Sequence, residues 1–146
     1  MELGADVKIR SILEQCSMEL RFAQTQKMKV LVIDDNPEII RLYHRYTANT
    51  RYDIVHLPSG DNLVEMLEHH QPNVLVMDIL LPGYDGWDLL IKLNNLHLVQ
   101  RFPVVICSVM GNEHVARSLG ASYYLSKPVD QKTFLNALDK VITDIS

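Results

Sequence analysis

The sequence predicts an α/β fold: a five-stranded parallel sheet, doubly wound by helices, with an extra helix at the N-terminus. Three observations carry that reading. From Lys29 onward, short β-branched runs alternate with amphipathic stretches. The runs are apolar at every position rather than every second one, which means burial on both sheet faces and a parallel sheet covered by helices. Finally, 146 residues, 47% hydrophobic and 22% charged, have the size and composition of one globular domain with its own core.

The elements follow in order. Val30-Leu31-Val32-Ile33 is the first strand, and Asp34-Asp35 come directly after it. Asn36-Pro37-Glu38 starts a helix with a capping side chain, a proline at the first helical position and an acid in the first turn. Ile39, Ile40, Leu42, Tyr43 and Tyr46 give that helix its apolar face. Asp53 to Leu57 is the second strand and Ser59 to His69 the second helix. Asn73 to Met77 is the third strand, Pro82-Gly83 a turn, and Gly86 to Asn95 the third helix. Trp87 opens that helix as a packing residue near the strand ends. Pro103 to Ser108 is the fourth strand. Asn112 to Leu119 is a short helix that Gly120 ends. Ala121 to Leu125 is the fifth strand, and Asp130 to Ile142 the last helix.

Residues 1–27 stand outside this alternation and form the first unit, a helix or interdomain connector; residues 28–146 form the second. Ile9, Leu13, Cys16, Leu20 and Ala23 recur at spacings of four, three, four and three. Such a seam suits pairing with an upstream domain or a second copy through residues 7–23. The net charge of -4 lies wholly in residues 28–146, since residues 1–27 carry four bases and four acids. No basic stripe exists to displace counterions from phosphates, so direct nucleic-acid binding is excluded. The apolar runs are too short to span a bilayer. Cys16 and Cys107 form no CxxC pair, and no apolar signal core follows the first charges. A reduced, cytoplasmic protein is expected.

In a doubly wound sheet the ligand site lies beyond the carboxyl ends of the strands. Asp34, Asp35, Asp78, Ser108 and Lys127 fall there. Two full charges roughly 4 Å apart repel by about 4 kcal/mol at an effective dielectric of 20. Lys127 supplies one opposing charge, and a hard divalent cation such as Mg²⁺ suits the remaining carboxylate oxygens. A carboxylate beside a metal and a lysine is also a competent nucleophile for phosphoryl transfer. His69-His70 suit the end of their helix, with no third ligand near them in sequence.

The segments KVLVIDDNPEII, VLVMDILLPGYDGWDLL, VVICSV and GASYYLSKPVD together resemble the response-regulator receiver domain of two-component signalling, over about residues 28–146. The resemblance implies a flavodoxin-like fold. It implies a switch in which Asp78 accepts a phosphoryl group from a histidine kinase or phosphotransfer protein, with at most slow autophosphatase activity. Mg²⁺ would be held by Asp35 and Asp78, by Asp34 mainly through water, and by the backbone carbonyl of Leu80. Lys127 would pair with the phosphoryl group and precede a cis proline, Ser108 would swing to the phosphoryl oxygen, and Tyr124 would follow it inward. The chain is expected to be a stand-alone receiver or the C-terminal receiver of a longer signalling protein.

Ser108 and Lys127 are nineteen positions apart, roughly three fewer than is usual in receivers, which removes about one helical turn at 3.6 residues per turn. Val109 stands where a smaller residue is more usual. Both departures leave the pocket intact and alter the signal-transmitting segment, so output is expected through another face or the N-terminal helix. Rival chemistries fit less well. A haloacid-dehalogenase-type phosphatase needs DxD after the first strand, and a flavin binder needs a phosphate loop where Asp34-Asp35 would repel phosphate. A pseudo-receiver, with the fold kept and phosphorylation lost, is the remaining alternative.

Overall fold

The computed structural model describes the backbone of residues 2–25, 27–110 and 112–145, and the side chains of 6–18, 27–110 and 112–144. In chain order the elements are α1 (Glu2–Thr25), β1 (Met28–Ile33), α2 (Pro37–Thr47), β2 (Tyr52–Leu57), α3 (Leu63–His70), β3 (Val74–Met77), β4 (Leu80–Leu81), β5 (Tyr84–Asp85), α4 (Gly86–Asn95), α5 (Leu98–Arg101), β6 (Val104–Ser108), α6 (Glu113–Ser118), β7 (Tyr123–Ser126) and α7 (Gln131–Ile145). The main sheet runs β2-β1-β3-β6-β7, with every neighbouring pair parallel. From β1 the chain steps outward to β2 and then returns to the other side of β1. The order therefore reverses between β1 and β3, whose carboxyl ends carry Asp34, Asp35 and Asp78.

The fully apolar strands are explained by the two core layers. Leu31, Ile33, Leu75, Met77 and Ile106 face Leu67 of α3 and Leu90 of α4. Val30, Val32, Val76 and Cys107 face Tyr43 of α2 and Phe134 and Leu138 of α7. Each buried aliphatic side chain contributes about 1.5–3 kcal/mol. Tyr43 stacks on Phe134 with ring centroids 4.4 Å apart, which fixes α2 against α7.

The expected five-stranded doubly wound sheet and N-terminal helix are present, with local differences that have physical causes. The second helix starts at Leu63 rather than Ser59, because Asn62 sits in the left-handed region at φ 56° and a right-handed helix cannot pass through it. The last strand starts at Tyr123 rather than Ala121, because the Ala121 amide is used to close α6 onto the Ala116 carbonyl at 3.0 Å. The last helix starts after Asp130, whose carboxylate caps the Thr133 amide at 2.7 Å, and it runs on to Ile145. Asp130 is held below the usual carboxylate range by that amide. The Pro82-Gly83 turn closes a small antiparallel hairpin, β4–β5, and α5 is a single extra turn. The shortened segment appears as α6, six residues long, capped by the Asn112 side chain, whose Oδ1 accepts the His114 amide at 2.8 Å.

Along α1 the seam faces solvent, with Ile9 57% and Leu13 63% exposed. Leu20 and Ala23 of that seam lie outside the described side chains. Among the described residues no helix is long and apolar enough to cross a membrane.

Candidate functional site

Backbone geometry fixes the acidic residues before any ligand is considered. Asp34 is buried just past β1, and its Oδ1 accepts the Asn36 amide at 2.9 Å. The Asn36 side chain in turn accepts the Glu38 amide at 3.0 Å and starts α2. Beyond β3, the Asp78 amide donates to the Ile33 carbonyl at 3.1 Å, while Asp78 Oδ1 accepts the Leu80 amide at 3.0 Å. Gly86 is required beside it. A Cβ there would lie 2.5 Å from the Ile79 Cα, and the Gly86 amide donates to the Ile79 carbonyl at 2.9 Å. The N-terminus of α4 thus packs directly on the backbone that carries Asp78.

Lys127 arrives from the other side of the sheet. Its amide donates to the Ser108 carbonyl at 3.0 Å, and the Lys127–Pro128 peptide is cis, as the resemblance implied. Its Nζ donates to Asp34 Oδ2 at 2.6 Å and to Asp78 Oδ2 at 2.7 Å. Burial alone would lower the pKa of this amine; the two carboxylates outweigh that cost and hold it above its ordinary value. Asp35 is exposed, and its side chain makes no hydrogen bond or ion pair among the described residues.

Oxygens of Asp34, Asp35 and Asp78 lie within 4.8 Å of one another. Three carboxylates against one ammonium leave two negative charges, which a divalent cation matches. The donors are hard oxygens on short side chains, one of them without a partner among the described residues, so this set fits Mg²⁺. The surrounding cavity, about 690 Å³, is also lined by Pro37, Ile39, Leu80 and Val109.

Two expected residues stand apart from the carboxylates. Ser108 is fully buried at the end of β6, and its Oγ accepts the Met110 amide at 3.3 Å. Tyr124 is half-buried and packs on the same core layer as Ile106, its register partner. Alternation along β6 gives Ser108 and Ile106 one sheet face, so Ser108 and Tyr124 share that face. Tyr123 points the other way, with the Arg117 guanidinium and Lys140 amine over its ring.

Sequence reasoning missed two features here. His56 Nε2 donates to the Asp34 carbonyl at 2.8 Å and ties the end of β2 to the site. Beneath the site, Tyr43 Oη and Cys107 Sγ are 2.9 Å apart, and burial pushes the Cys107 thiol up to about 11 and the Tyr43 hydroxyl up as well.

The model of the family described as response regulator receiver domain matches residues 30–139. Among solved structures, a receiver domain of the Francisella response regulator 1452 is 22% identical over 82% of this chain and 100% of its own, with a TM-score of 0.74. The chemotaxis response regulator CheY4 of Vibrio cholerae is 18% identical, covering 80% and 99%, at 0.70. The BeF3-activated N-terminal receiver domain of RstA from Klebsiella pneumoniae is 26% identical, covering 78% and 97%, at 0.68.

Proposed function

This chain belongs to the response regulator receiver domain family, whose members are phosphoacceptor signalling domains of two-component systems, and on that premise we propose that it is a phosphorylatable switch with Asp78 as its acceptor. The observation that carries the proposal is the double contact of Lys127 with Asp34 and Asp78 inside a cluster of three carboxylates. The Lys127 ammonium is hydrogen-bonded to Asp78 Oδ2, which supports a role for it in meeting a phosphoryl group carried on Asp78.

The donor is a phosphohistidine on a kinase or phosphotransfer protein in the cytoplasm. An Asp78 oxygen bonds to phosphorus as the histidine N–P bond breaks. The electron pair stays with the imidazole, which departs neutral when its other ring nitrogen carries a proton. Asp35, Asp78, the Leu80 carbonyl and, mainly through water, Asp34 would hold Mg²⁺, which would supply positive charge against the phosphoryl oxygens. Lys127 exchanges its Asp78 contact for a phosphoryl oxygen and keeps Asp34. Ser108 leaves the Met110 amide and donates its hydroxyl to a phosphoryl oxygen. Tyr124, on the same sheet face, moves into the space this opens and carries the change to the α6–β7 surface. Residues 1–27 act as a connector whose seam joins a second copy or an upstream domain.

Intact mass tests the proposal after incubation with Mg²⁺ and acetyl phosphate, beside Asp78→Ala. One added phosphoryl group on the wild type and none on the variant is the expected result. No addition to the wild type would leave a pseudo-receiver that works without phosphorylation.

A further inference from the structure

Each of the three oxygens of Asp34 is held. Its Oδ1 accepts the Asn36 amide at 2.9 Å, its Oδ2 accepts the Lys127 ammonium at 2.6 Å, and its backbone carbonyl accepts the His56 Nε2 proton at 2.8 Å. Asp35, the next residue, belongs to the same carboxylate cluster but is exposed, with no side-chain partner among the described residues. Its aim is therefore set by the backbone that carries it. The carbonyl that His56 holds is part of the planar peptide joining Asp34 to Asp35. A bond to that oxygen fixes the rotation of the plane, and with it the direction in which Asp35 leaves the end of β1. Strand pairing explains why a side chain has this task. β2 stands at the edge of the sheet and ends at Leu57, opposite Ile33, so the ladder stops short of Asp34. His56, opposite Val32, reaches two residues along and supplies an imidazole N–H instead.

We propose that His56 is a positioning residue for the cation site: its hydrogen bond to the Asp34 carbonyl aims the Asp35 carboxylate at the ion that Asp35 and Asp78 would share. The inference rests on the Mg²⁺ reading given above and adds to it a residue from outside the carboxylate set. Side chains that orient a metal ligand without touching the metal set its affinity by roughly ten- to a hundredfold. The His56 ring is exposed, where water competes for the carbonyl, so the lower end of that range applies. Asp34 keeps its own aim without His56, since Asn36 and Lys127 hold both of its carboxylate oxygens. The effect of His56 therefore falls on Asp35.

Calorimetric titration of MgCl₂ into the full chain tests this, with His56→Leu and His56→Gln beside the wild type. His56→Leu is expected to bind Mg²⁺ about tenfold more weakly. His56→Gln offers an amide N–H at nearly the reach of the imidazole Nε2 and is expected to restore most of the affinity. In the absence of Mg²⁺, the Asp35 backbone amide resonance is expected to move in His56→Leu and to return in His56→Gln. Unmoved resonances from β3 and β6 are the check on folding. Unchanged Mg²⁺ affinity in His56→Leu, a loss that His56→Gln does not repair, or an unmoved Asp35 amide would overturn the proposal. A wild type that takes up no Mg²⁺, with its Asp35 amide still moved by His56→Leu, would overturn the Mg²⁺ reading and leave the hold of His56 on Asp35 standing.

Discussion

Cys107 and Tyr43 show how near the site lies to the core. Burial holds the Cys107 thiol protonated up to about 11, against an ordinary value of 9.0. The folded state therefore keeps a proton that the unfolded chain releases at lower pH. Its contribution is complete below pH 9 and is lost as pH rises toward 11, by about 2–3 kcal/mol at 1.36 kcal/mol per unit. Urea unfolding across that range is expected to fall less steeply in Cys107→Ala, and iodoacetamide at pH 9 should label exposed Cys16 while sparing Cys107 in the native wild type. At this scale Asp34, Asp35, Asp78 and Lys127 were legible, because each follows an apolar run that has to be a strand. His56 was not, because a ring nitrogen bonded to a backbone carbonyl leaves no pattern of residue types.

Helices and turns obey their caps more closely than their apolar periodicity. Asn36, Asp85 and Asn112 each accept an amide two residues on and set where α2, α4 and α6 begin. The β4–β5 hairpin and α5 escaped the sequence reading because strands of two residues and a helix of one turn carry no period to detect. The hairpin nevertheless depends on its glycine neighbour. Gly86→Ala would force Cβ against the Ile79 backbone, and a loss of about 1–3 kcal/mol is expected. Chemical denaturation measures that loss, and a neutral result would mean α4 can lift off the Asp78 segment freely. On α1, the solvated seam makes a separate forecast. On the reading that the seam pairs two copies, Ile9→Asp/Leu13→Asp should lower the sedimentation coefficient of the full chain, since both side chains are solvent-exposed rather than buried in the domain.

Across the molecule, the reversal of strand order between β1 and β3 brings the acids together, and the sheet bears the resulting charge. A cation that binds only the folded chain should raise its melting temperature, by an amount equivalent to about 2.7 kcal/mol at one hundred times its dissociation constant. Differential scanning calorimetry with and without Mg²⁺ should register the rise in wild type. Asp35→Ala should lose most of it, because Asp35 alone of the three acids has no side-chain partner among the described residues. The doubly wound layers were readable in advance because only a sheet covered on both faces needs strands apolar at every position. The groove lined by Leu80, Tyr84, Trp87 and Met110 was not, since its walls come from the hairpin, α4 and the β6–α6 loop, which only the tertiary fold brings side by side.

The ion pairs of Lys127 span long stretches of chain, 93 residues to Asp34 and 49 to Asp78. On the ribosome the acids therefore emerge well ahead of the lysine that holds two of them. A nascent chain stopped before β7 lacks Lys127, the shared counter-charge of Asp34 and Asp78. On the phosphoacceptor reading proposed above, such a fragment would lack the lysine that is to meet a phosphoryl group at Asp78. On that reading, competence would arrive only with Lys127, one residue past the edge strand β7.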